Sequence, residues 1–489
     1  MTQTLLGFAA AALLLALRTP AFALLPLLLV ELSVANEPVP GLGFSARIAV
    51  VLGATLLAWR TVVRGVRASG GALARVALPA LGLIALATIV NLMYEDADYS
   101  SKYLRFQLAQ FLVLVLTATV LRDERDARAV GLCALALGAV TAGAAVWQVF
   151  ARSSALYGAG SPKDIAEFSG RVIGLSTSPV QLSKHLVFLL VFLLGLLSSI
   201  RLRLSPGPLL LVAAAALLAS GLYFTQTRSA LLALGMGLLA IALLITGPRR
   251  LLIVGAIAAA GALFAMGLFG ARYYRDADTD RSAAGHQALW KVGFVMALDQ
   301  GWTGIGHLRF EELSTQYLDA IETEDVTVDD QASGARAVGK QRPHNDFLNV
   351  WISWGILALG LYLALIVGTI RNYLAAAERP SPLVRGLAIG GAAGLVAYAF
   401  DSAFHNSLDT SIWLWAHAGL SVGLLRLDIY GGPAIQRLLR PRAASSHGGR
   451  STPPRHRRTR HAGGPRGASG PWRSIALEAV QNVGSGHAR

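Results

Sequence analysis

Apolar stretches long enough to cross a bilayer recur along almost the whole chain, with few charges inside them. A helix needs about 20 apolar residues to span the hydrocarbon core, and its backbone groups must be hydrogen-bonded within the segment. The composition agrees, since 54% of the 489 residues are hydrophobic, 15% are charged, and the mean hydropathy is +0.53. The sequence therefore predicts an all-α protein that crosses a membrane many times, and excludes a soluble globule.

Eleven of these stretches follow residue 43, and residues 3–34 form one more. The eleven are residues 44–59, 75–93, 103–121, 128–150, 182–199, 207–224, 229–246, 250–270, 345–370, 384–401 and 409–426. Residues 3–34 would be about 48 Å long as one helix and contain Arg18, Pro20 and Pro26, so they form either one broken element or two short ones. Counting them as one crossing, we expect about 12 spans in a transmembrane helical bundle.

Basic residues in short connections set the orientation, because such connections stay cytoplasmic. The arginines that fall in alternate connections are Arg60, Arg64, Arg67, Arg122, Arg125, Arg128, Arg201, Arg203, Arg249, Arg250, Arg371, Arg379 and Arg385. This pattern predicts four regions: N-terminal transmembrane helices in 1–270, an extracytoplasmic, partly helical loop in 271–344, C-terminal transmembrane helices in 345–430, and a cytoplasmic tail in 431–489.

The formal net charge of +15 has a local origin. Residues 432–489 contain eleven arginines against Glu478 and are rich in Pro, Gly and Ser, so we expect a disordered basic tail. Its expected partner is the anionic lipid headgroups of the cytoplasmic leaflet, with no nucleic acid bound.

The chain has one cysteine, Cys133, which excludes a disulfide framework and a thiolate zinc site.

Two residues at the predicted outer boundary are candidates for catalysis. Arg228 lies between the spans 207–224 and 229–246, where an arginine opposes the inside bias and its planar fork can bind a phosphate. The plainer interpretation is an arginine whose head reaches into the interface. His344 opens the apolar helix of span 345–370, where a histidine can serve in acid/base chemistry. Asn345 and Asp346 after it also match an ordinary helix start.

The outer loop carries further candidates. Residues 283–313 alternate apolar and polar positions at helical spacing and then reach a glycine-rich turn, which predicts an amphipathic helix packed on the outer face. The apolar positions are Ala288, Trp290, Val292, Val295 and Met296, and the turn glycines are Gly301, Gly304 and Gly306. Candidate cations or proton-transfer groups are Lys291, His286, His307 and Arg342, although loop charges are usually just solvated.

These motifs together resemble the O-antigen ligase and polymerase superfamily over residues 170–370. The resemblance rests on an arginine that opens the span TRSALLAL, a Trp-x-x-Gly-x-x-x-Ala helix that leads to WTGIGHLRF, and a His-Asn pair that begins an apolar helix. The family's last motif has His-Asn, nine residues, and Gly-x-x-Gly. His344, Asn345 and Gly355 match it, whereas Ala358 replaces the final glycine. Gly301-Trp302-Thr303 also stands where many members have a proline.

The resemblance implies transfer of a glycan from undecaprenyl diphosphate to an acceptor hydroxyl, with no cofactor and no metal. The acceptor would be a glycolipid for a ligase and another lipid-linked glycan for a polymerase, and the site would lie on the periplasmic face of a bacterial inner membrane. In this chain His344 would be the base and Arg228 would hold the diphosphate. The predicted substrate-binding residues are Lys291, Asn345, His286 and Arg342.

Two other functions stay open on the sequence alone. Outward carboxylate pairs could hold a divalent ion for a metal-dependent glycosyltransferase; they are Asp96 with Asp98, and Asp278 with Asp280. Ionisable residues in or beside spans often mark an ion path, which would indicate a transporter of a small solute. Those residues are Glu31, Lys184, His185, Asp401 and His405.

Overall fold

The structure is a computed structural model that describes residues 19–24, 46–151, 171–176, 178–199, 206–245, 278–320, 342–408 and 411–431. The predicted span 250–270, most of residues 3–34 and the tail beyond residue 431 lie outside these ranges. Apart from a 3-10 turn at Pro20–Ala23, the regular elements of the described residues are α-helices. In chain order they are α1 (Ala46–Leu57), α2 (Trp59–Tyr94), α3 (Ala97–Val120), α4 (Glu124–Ala151), α5 (Pro179–Ser199), α6 (Pro206–Thr225), α7 (Arg228–Leu244), α8 (Asp278–Gln300), α9 (Arg309–Ala320), α10 (Asp346–Ala377), α11 (Pro382–Asp401) and α12 (Trp413–Gly431).

Seven of the described helices are long and apolar enough to cross a membrane, namely α2, α3, α4, α5, α6, α10 and α11. Helices α1 and α7 are apolar as well but shorter. Each of these helices coincides with a predicted span, and α8 with α9 forms the helical part of the predicted outer loop. The all-α, multi-pass membrane fold predicted from the apolar pattern is therefore confirmed.

One predicted connection is wrong. The arginine-rich residues 60–74, expected to be a loop, belong to α2, which bends at Gly70 with a φ of 42°. Arg60, Arg64 and Arg67 recur at helical spacing and are exposed, so their charges are compatible with a helix that projects beyond the apolar part. Orientation from basic residues does not depend on whether the connection is coiled or helical.

Small residues set the spacing of the central helices. Helices α5 and α11 share the most extensive contact of the bundle. A Cβ added at Gly195 would lie 2.2 Å from the Cα of Gly390, and one added at Gly390 would lie 2.5 Å from the Phe192 carbonyl oxygen. Such close backbone approach is typical of helix pairs in lipid, where packing rather than the hydrophobic effect holds the helices together.

The helix ends form two polar layers. At the lower end Arg426 donates to the carbonyls of Thr119 and Leu121 at 2.8 and 2.6 Å, satisfying the last turn of α3. Arg75 donates to Asn372 at 3.0 Å in the same layer. The upper end, where α10 begins, also holds the starts of α5 and α7 and the end of α11. The two layers hold the buried charges at the ends of an otherwise apolar bundle.

Helix α10 is broken inside its predicted apolar stretch. Gly355 has φ 88° and ψ 172°, a combination that essentially only glycine adopts. In an unbroken helix Ile356 would donate to the Ile352 carbonyl. Instead Ile356 donates to the Gly301 carbonyl at 2.8 Å, and the Ile352 carbonyl accepts from Ile305 at 3.0 Å. The glycine-rich turn after α8 thus repairs the hydrogen bonds that the break removes.

The Gly355→Ala variant is expected to lose stability by on the order of 2 kcal/mol, because alanine disfavours this backbone conformation. Its Cβ would also lie 2.7 Å from the Trp302 carbonyl oxygen. Thermal melting in detergent measures the loss. Gly360→Ala is the matched control on the same helix, where an added Cβ meets nothing within 4 Å. Equal melting temperatures for the two variants would contradict the constraint at Gly355.

Candidate active site

Arg228 is the first residue of α7, at the upper end of the bundle. Helix α6 ends at Thr225, and a two-residue turn reverses the chain into α7. Arg171 ties this turn down, donating from Nε to the Thr225 carbonyl and from its terminal nitrogen to Thr227 Oγ1, both at 2.9 Å. Two half-buried arginines, Arg171 and Arg228, therefore adjoin one short turn, which concentrates positive charge at the start of α7.

His344 precedes α10 at the same end. Asn345 is the N-cap, since its side-chain oxygen accepts from the Leu348 N–H at 3.1 Å. This cap is the helix-start signature that the sequence predicts. His344 itself lies outside the helix and is half-buried between Pro343 and the cap. Asn345, and not His344, therefore caps α10.

A strained backbone conformation occurs at His344 and close to Arg228. Among the described residues, the non-glycine residues with positive φ are Gln226 at 52° and His344 at 45°. The first lies two positions before Arg228 and the second is itself a candidate base. Left-handed backbone costs energy for residues with a side chain and persists where the surroundings enforce it, frequently at functional sites. Sequence gave no sign of this strain.

The connection 402–408 between α11 and α12 joins the start of α7. His405 Nε2 and Ser229 Oγ are hydrogen-bonded at 2.8 Å, and Ser229 directly follows Arg228. His405 is 14% exposed and also lies 3.9 Å from the Asp401 carboxylate. The connection therefore brings an imidazole to the residue next to the candidate phosphate-binding arginine.

The same connection also contacts the start of α10. The Asn345 N–H donates to the Asn406 side-chain oxygen at 3.1 Å, and Asn345 directly follows His344. Arg228 and His344 are far apart in the sequence. Yet Ser229, next to Arg228, is bonded to His405, and Asn345, next to His344, is bonded to Asn406. The structure thus brings the two predicted catalytic residues to one end of the bundle and to one loop.

A buried carboxylate fixes this loop to α10. Asp346 is fully buried, and its two oxygens accept from the N–H groups of Ser407 at 2.8 Å and Leu408 at 3.0 Å. Its own N–H donates to the Ser402 carbonyl at 2.7 Å. A buried carboxylate without such partners would be strongly unfavourable, so these bonds hold the loop in one arrangement.

Lys184 of α5 supplies the balancing charge. Its ammonium group donates to Ser407 Oγ at 2.7 Å and lies 3.9 Å from the Asp401 carboxylate, and both charged side chains are under 10% exposed. The sequence named Lys184, Asp401 and His405 only as members of an ion path. Their proximity depends on the packing of α5 against α11, which no local pattern reveals.

The remaining predicted site residues are more scattered. Arg342 lies 3.8 Å from the Glu311 carboxylate of α9. Lys291 is exposed on α8, and the side chain of His286 lies outside the described residues. His307 is 2% exposed and packs between Tyr103 and Trp354, with ring centroids 4.8 and 5.5 Å away. Arg342 therefore contacts α9, and His307 contacts α3 and α10.

The burial of α8 differs from the prediction at one of its apolar positions. Val292 and Met296 of α8 are buried against α10 as expected, whereas Val295 is 40% exposed. Val295 lies about 100° around the helix from Met296, so Val295 of the predicted apolar set falls on the other side.

Of the carboxylates proposed for a metal, Asp96 caps α3 by accepting a hydrogen bond from the Tyr99 N–H at 2.6 Å, and Asp98 pairs with Lys102.

Arg171 is a residue that the sequence reasoning missed. It lies in the predicted outer connection 151–180, where an arginine opposes the inside bias as Arg228 does. The inside bias that singles out Arg228 therefore singles out Arg171 as well.

Comparison with known families matches the part of the chain that contains both candidates. The model of the family described as O-antigen ligase matches residues 213–363. This matched domain is therefore similar to O-antigen ligases. The predicted resemblance to the O-antigen ligase superfamily is thereby confirmed. The domain runs from α6 into α10 and includes Arg228, His344 and Gly355, whereas the 402–408 connection lies beyond it. No curated protein matches the chain.

Lys184→Met is expected to cost about 3–5 kcal/mol of stability, because it leaves buried carboxylates without their cation. Lys102→Met is the control, since the Lys102 and Asp98 side chains are 64% and 71% exposed and such pairs contribute under about 1 kcal/mol. Thermal melting compares the variants. Combining Lys184→Met with Asp401→Asn should recover part of the loss, and no recovery would contradict the proposed charge balance.

Proposed function

We propose that the chain is a membrane glycosyltransferase that moves a glycan from undecaprenyl diphosphate to an acceptor hydroxyl, as an O-antigen ligase does. One observation carries the proposal. Inside the matched ligase domain, Arg228 and His344 both adjoin residues that are bonded to His405 and Asn406 of one connection. A cation and an imidazole at one end of a membrane bundle fit a reaction between a lipid-borne diphosphate and a polar acceptor.

His344 acts as the general base in this proposal. It removes the proton from the acceptor hydroxyl while that oxygen attacks the anomeric carbon of the glycan. The bond from this carbon to the diphosphate oxygen breaks, and undecaprenyl diphosphate leaves with the bonding electrons. The half-buried position of His344 leaves it accessible to an acceptor hydroxyl that approaches from the aqueous side.

Arg228 stabilises the leaving diphosphate. Negative charge grows on the departing oxygens in the transition state, and a preorganised guanidinium there lowers the barrier. Arg171 holds the Thr225 and Thr227 groups of the turn that presents Arg228. The turn is thus fixed before the substrate binds, so little reorganisation accompanies the reaction.

Asn345, Arg342, Lys291 and His286 remain proposed substrate-binding residues. We place the protein in the bacterial inner membrane, with the upper end of the bundle on the periplasmic side. The basic connections at the lower end support this orientation. Its partners are the lipid-linked glycan, an acceptor glycolipid or glycan, and membrane lipids, with no nucleic acid.

His344→Ala and Arg228→Ala are each expected to lower the transfer rate about 100- to 1,000-fold, because each removes a group that acts in the transition state. The assay incubates purified protein with polyprenyl-diphosphate glycan and candidate acceptors, and follows the glycosylated product. Lys102→Ala is the control for loss of an exposed charge at the same end. Wild-type rates in both site variants, with folding intact, would refute the assignment.

The choice of acceptor distinguishes two candidate functions in the same assay. Product on a lipid-core acceptor identifies a ligase, whereas elongation of a second lipid-linked glycan identifies a polymerase. Ligase stands first because the matching family is described as O-antigen ligase.

Transfer is expected to continue at an unchanged rate in excess chelator, since the proposed reaction uses a guanidinium rather than a metal to stabilise the diphosphate. The measurement is the same assay with and without EDTA. Loss of activity that is restored by adding a divalent ion would instead favour the metal-dependent alternative, with Asp96 and Asp98 as the first carboxylates to substitute.

A further inference from the structure

One face of α8 is apolar and exposed. Phe294, Val295 and Leu298 are 51%, 40% and 57% exposed, and their spacing puts them on the same side of the helix. The opposite side is buried against α10 through Leu289, Val292, Met296 and Ala297. Helix α8 is therefore apolar on both sides. On the exposed side, Phe294 meets the Trp351 ring of α10 edge-on at 6.2 Å between centroids, yet about half of the Phe294 side chain stays exposed.

The exposed face continues beyond the end of the helix. Trp302, in the turn after α8, is 78% exposed. The residue before it, Gly301, accepts the hydrogen bond from Ile356, the first residue of α10 after the break. We call Phe294, Val295, Leu298 and Trp302 the α8 apolar face. They are the large hydrophobic side chains recorded as exposed in the described part of 278–320.

Continuity with the lipid-facing side of α10 shows what covers this face. Ile356 and Leu357 are 39% and 64% exposed, and Leu363 and Val367 farther along are 42% and 47% exposed. In a spanning helix such side chains face lipid. Because the Gly301–Ile356 bond joins the two elements, the α8 apolar face leads directly into that lipid-facing surface.

Polar groups border the α8 apolar face as they do at a membrane interface. Lys291 lies on the same side of the helix, one turn before Phe294 and Val295, where a long side chain can reach headgroups while its stem covers apolar surface. Asp299 is exposed at the edge and accepts a hydrogen bond from Tyr317, which lowers the pKa of Asp299 and keeps it ionised. Tryptophan is likewise enriched at the bilayer interface.

We propose that the α8 apolar face rests in the interfacial region of the bilayer leaflet at the upper end of the bundle. Helix α8 is then an interfacial element and not a loop held clear of the membrane. Burying four large apolar side chains in lipid is favourable, whereas leaving them as one patch in water would be unusual for an extramembrane surface.

The contact between α8 and lipid would set the depth of the candidate active site relative to the headgroups. An added Cβ at Gly293, on the buried side of α8, would lie 3.4 Å from Pro343, which directly precedes His344. The depth of α8 in the leaflet therefore fixes how far His344 stands from the headgroups. This consequence rests on the proposed glycan transfer, whereas the lipid contact itself does not.

Spin labelling in lipid nanodiscs tests the contact without any substrate. In a Cys133→Ala background, which removes the single native cysteine, a nitroxide is attached at Leu298→Cys or Phe294→Cys. Its collisions with oxygen, which concentrates in lipid, and with a water-soluble nickel chelate are compared. Leu357→Cys is the lipid control, Glu312→Cys is the water control because Glu312 is 69% exposed on α9, and Val292→Cys is the buried control.

Labels at positions 294 and 298 are expected to match Leu357→Cys, with collision rates for oxygen several-fold above those for nickel. Rates like those of Glu312→Cys would overturn the proposal in favour of an aqueous face. Low rates for both reagents, as at Val292→Cys, would also overturn it, because protein would then cover the face, from this chain or from a second copy. Since no glycan donor is present, failure here leaves the proposed reaction untouched.

Discussion

The buried carboxylate of Asp346 is the constraint on which the candidate site depends. It begins α10 fully buried from water and has to be hydrogen-bonded there. The Ser407 and Leu408 N–H groups supply those bonds, and Lys184 reaches the same loop through Ser407 Oγ. Once this loop is held, its neighbouring residues lie against the starts of α7 and α10. The chemistry at the surface is thus positioned by charges that are buried beneath it.

The break in α10 positions the other wall of the site. A glycine that leaves the helix frees an N–H and two carbonyls, and the turn after α8 supplies partners for them through Gly301, Ile305 and Gly306. Helix α8 is bound to α10 by these bonds and by its buried apolar side. The outer loop is therefore attached to the bundle at the point where α10 bends, and not only through its chain ends.

Sequence predicted the spans well because a run of apolar residues reports a helix in lipid whatever its neighbours are. It also singled out Arg228 and His344, since each is a polar residue at a boundary where local rules expect something else. The positive φ of His344, the break at Gly355 and the approach of Lys184 to Asp401 were invisible, because all three are set by contacts between distant segments. Val295 was assigned to the wrong side for a related reason: an α8 that is apolar on both sides has no single periodic face.

The matched domain is smaller than the physical unit that the site requires. Residues 213–363 contain Arg228, His344 and Asp346, yet the donors to the Asp346 carboxylate come from residues 407 and 408, and the balancing ammonium comes from residue 184. An isolated domain would carry a buried carboxylate with none of these partners and no imidazole beside Ser229. The helices on both sides of the domain therefore belong to the site as much as the motifs inside it do, because they supply the hydrogen bonds and the countercharge that keep those motifs in place.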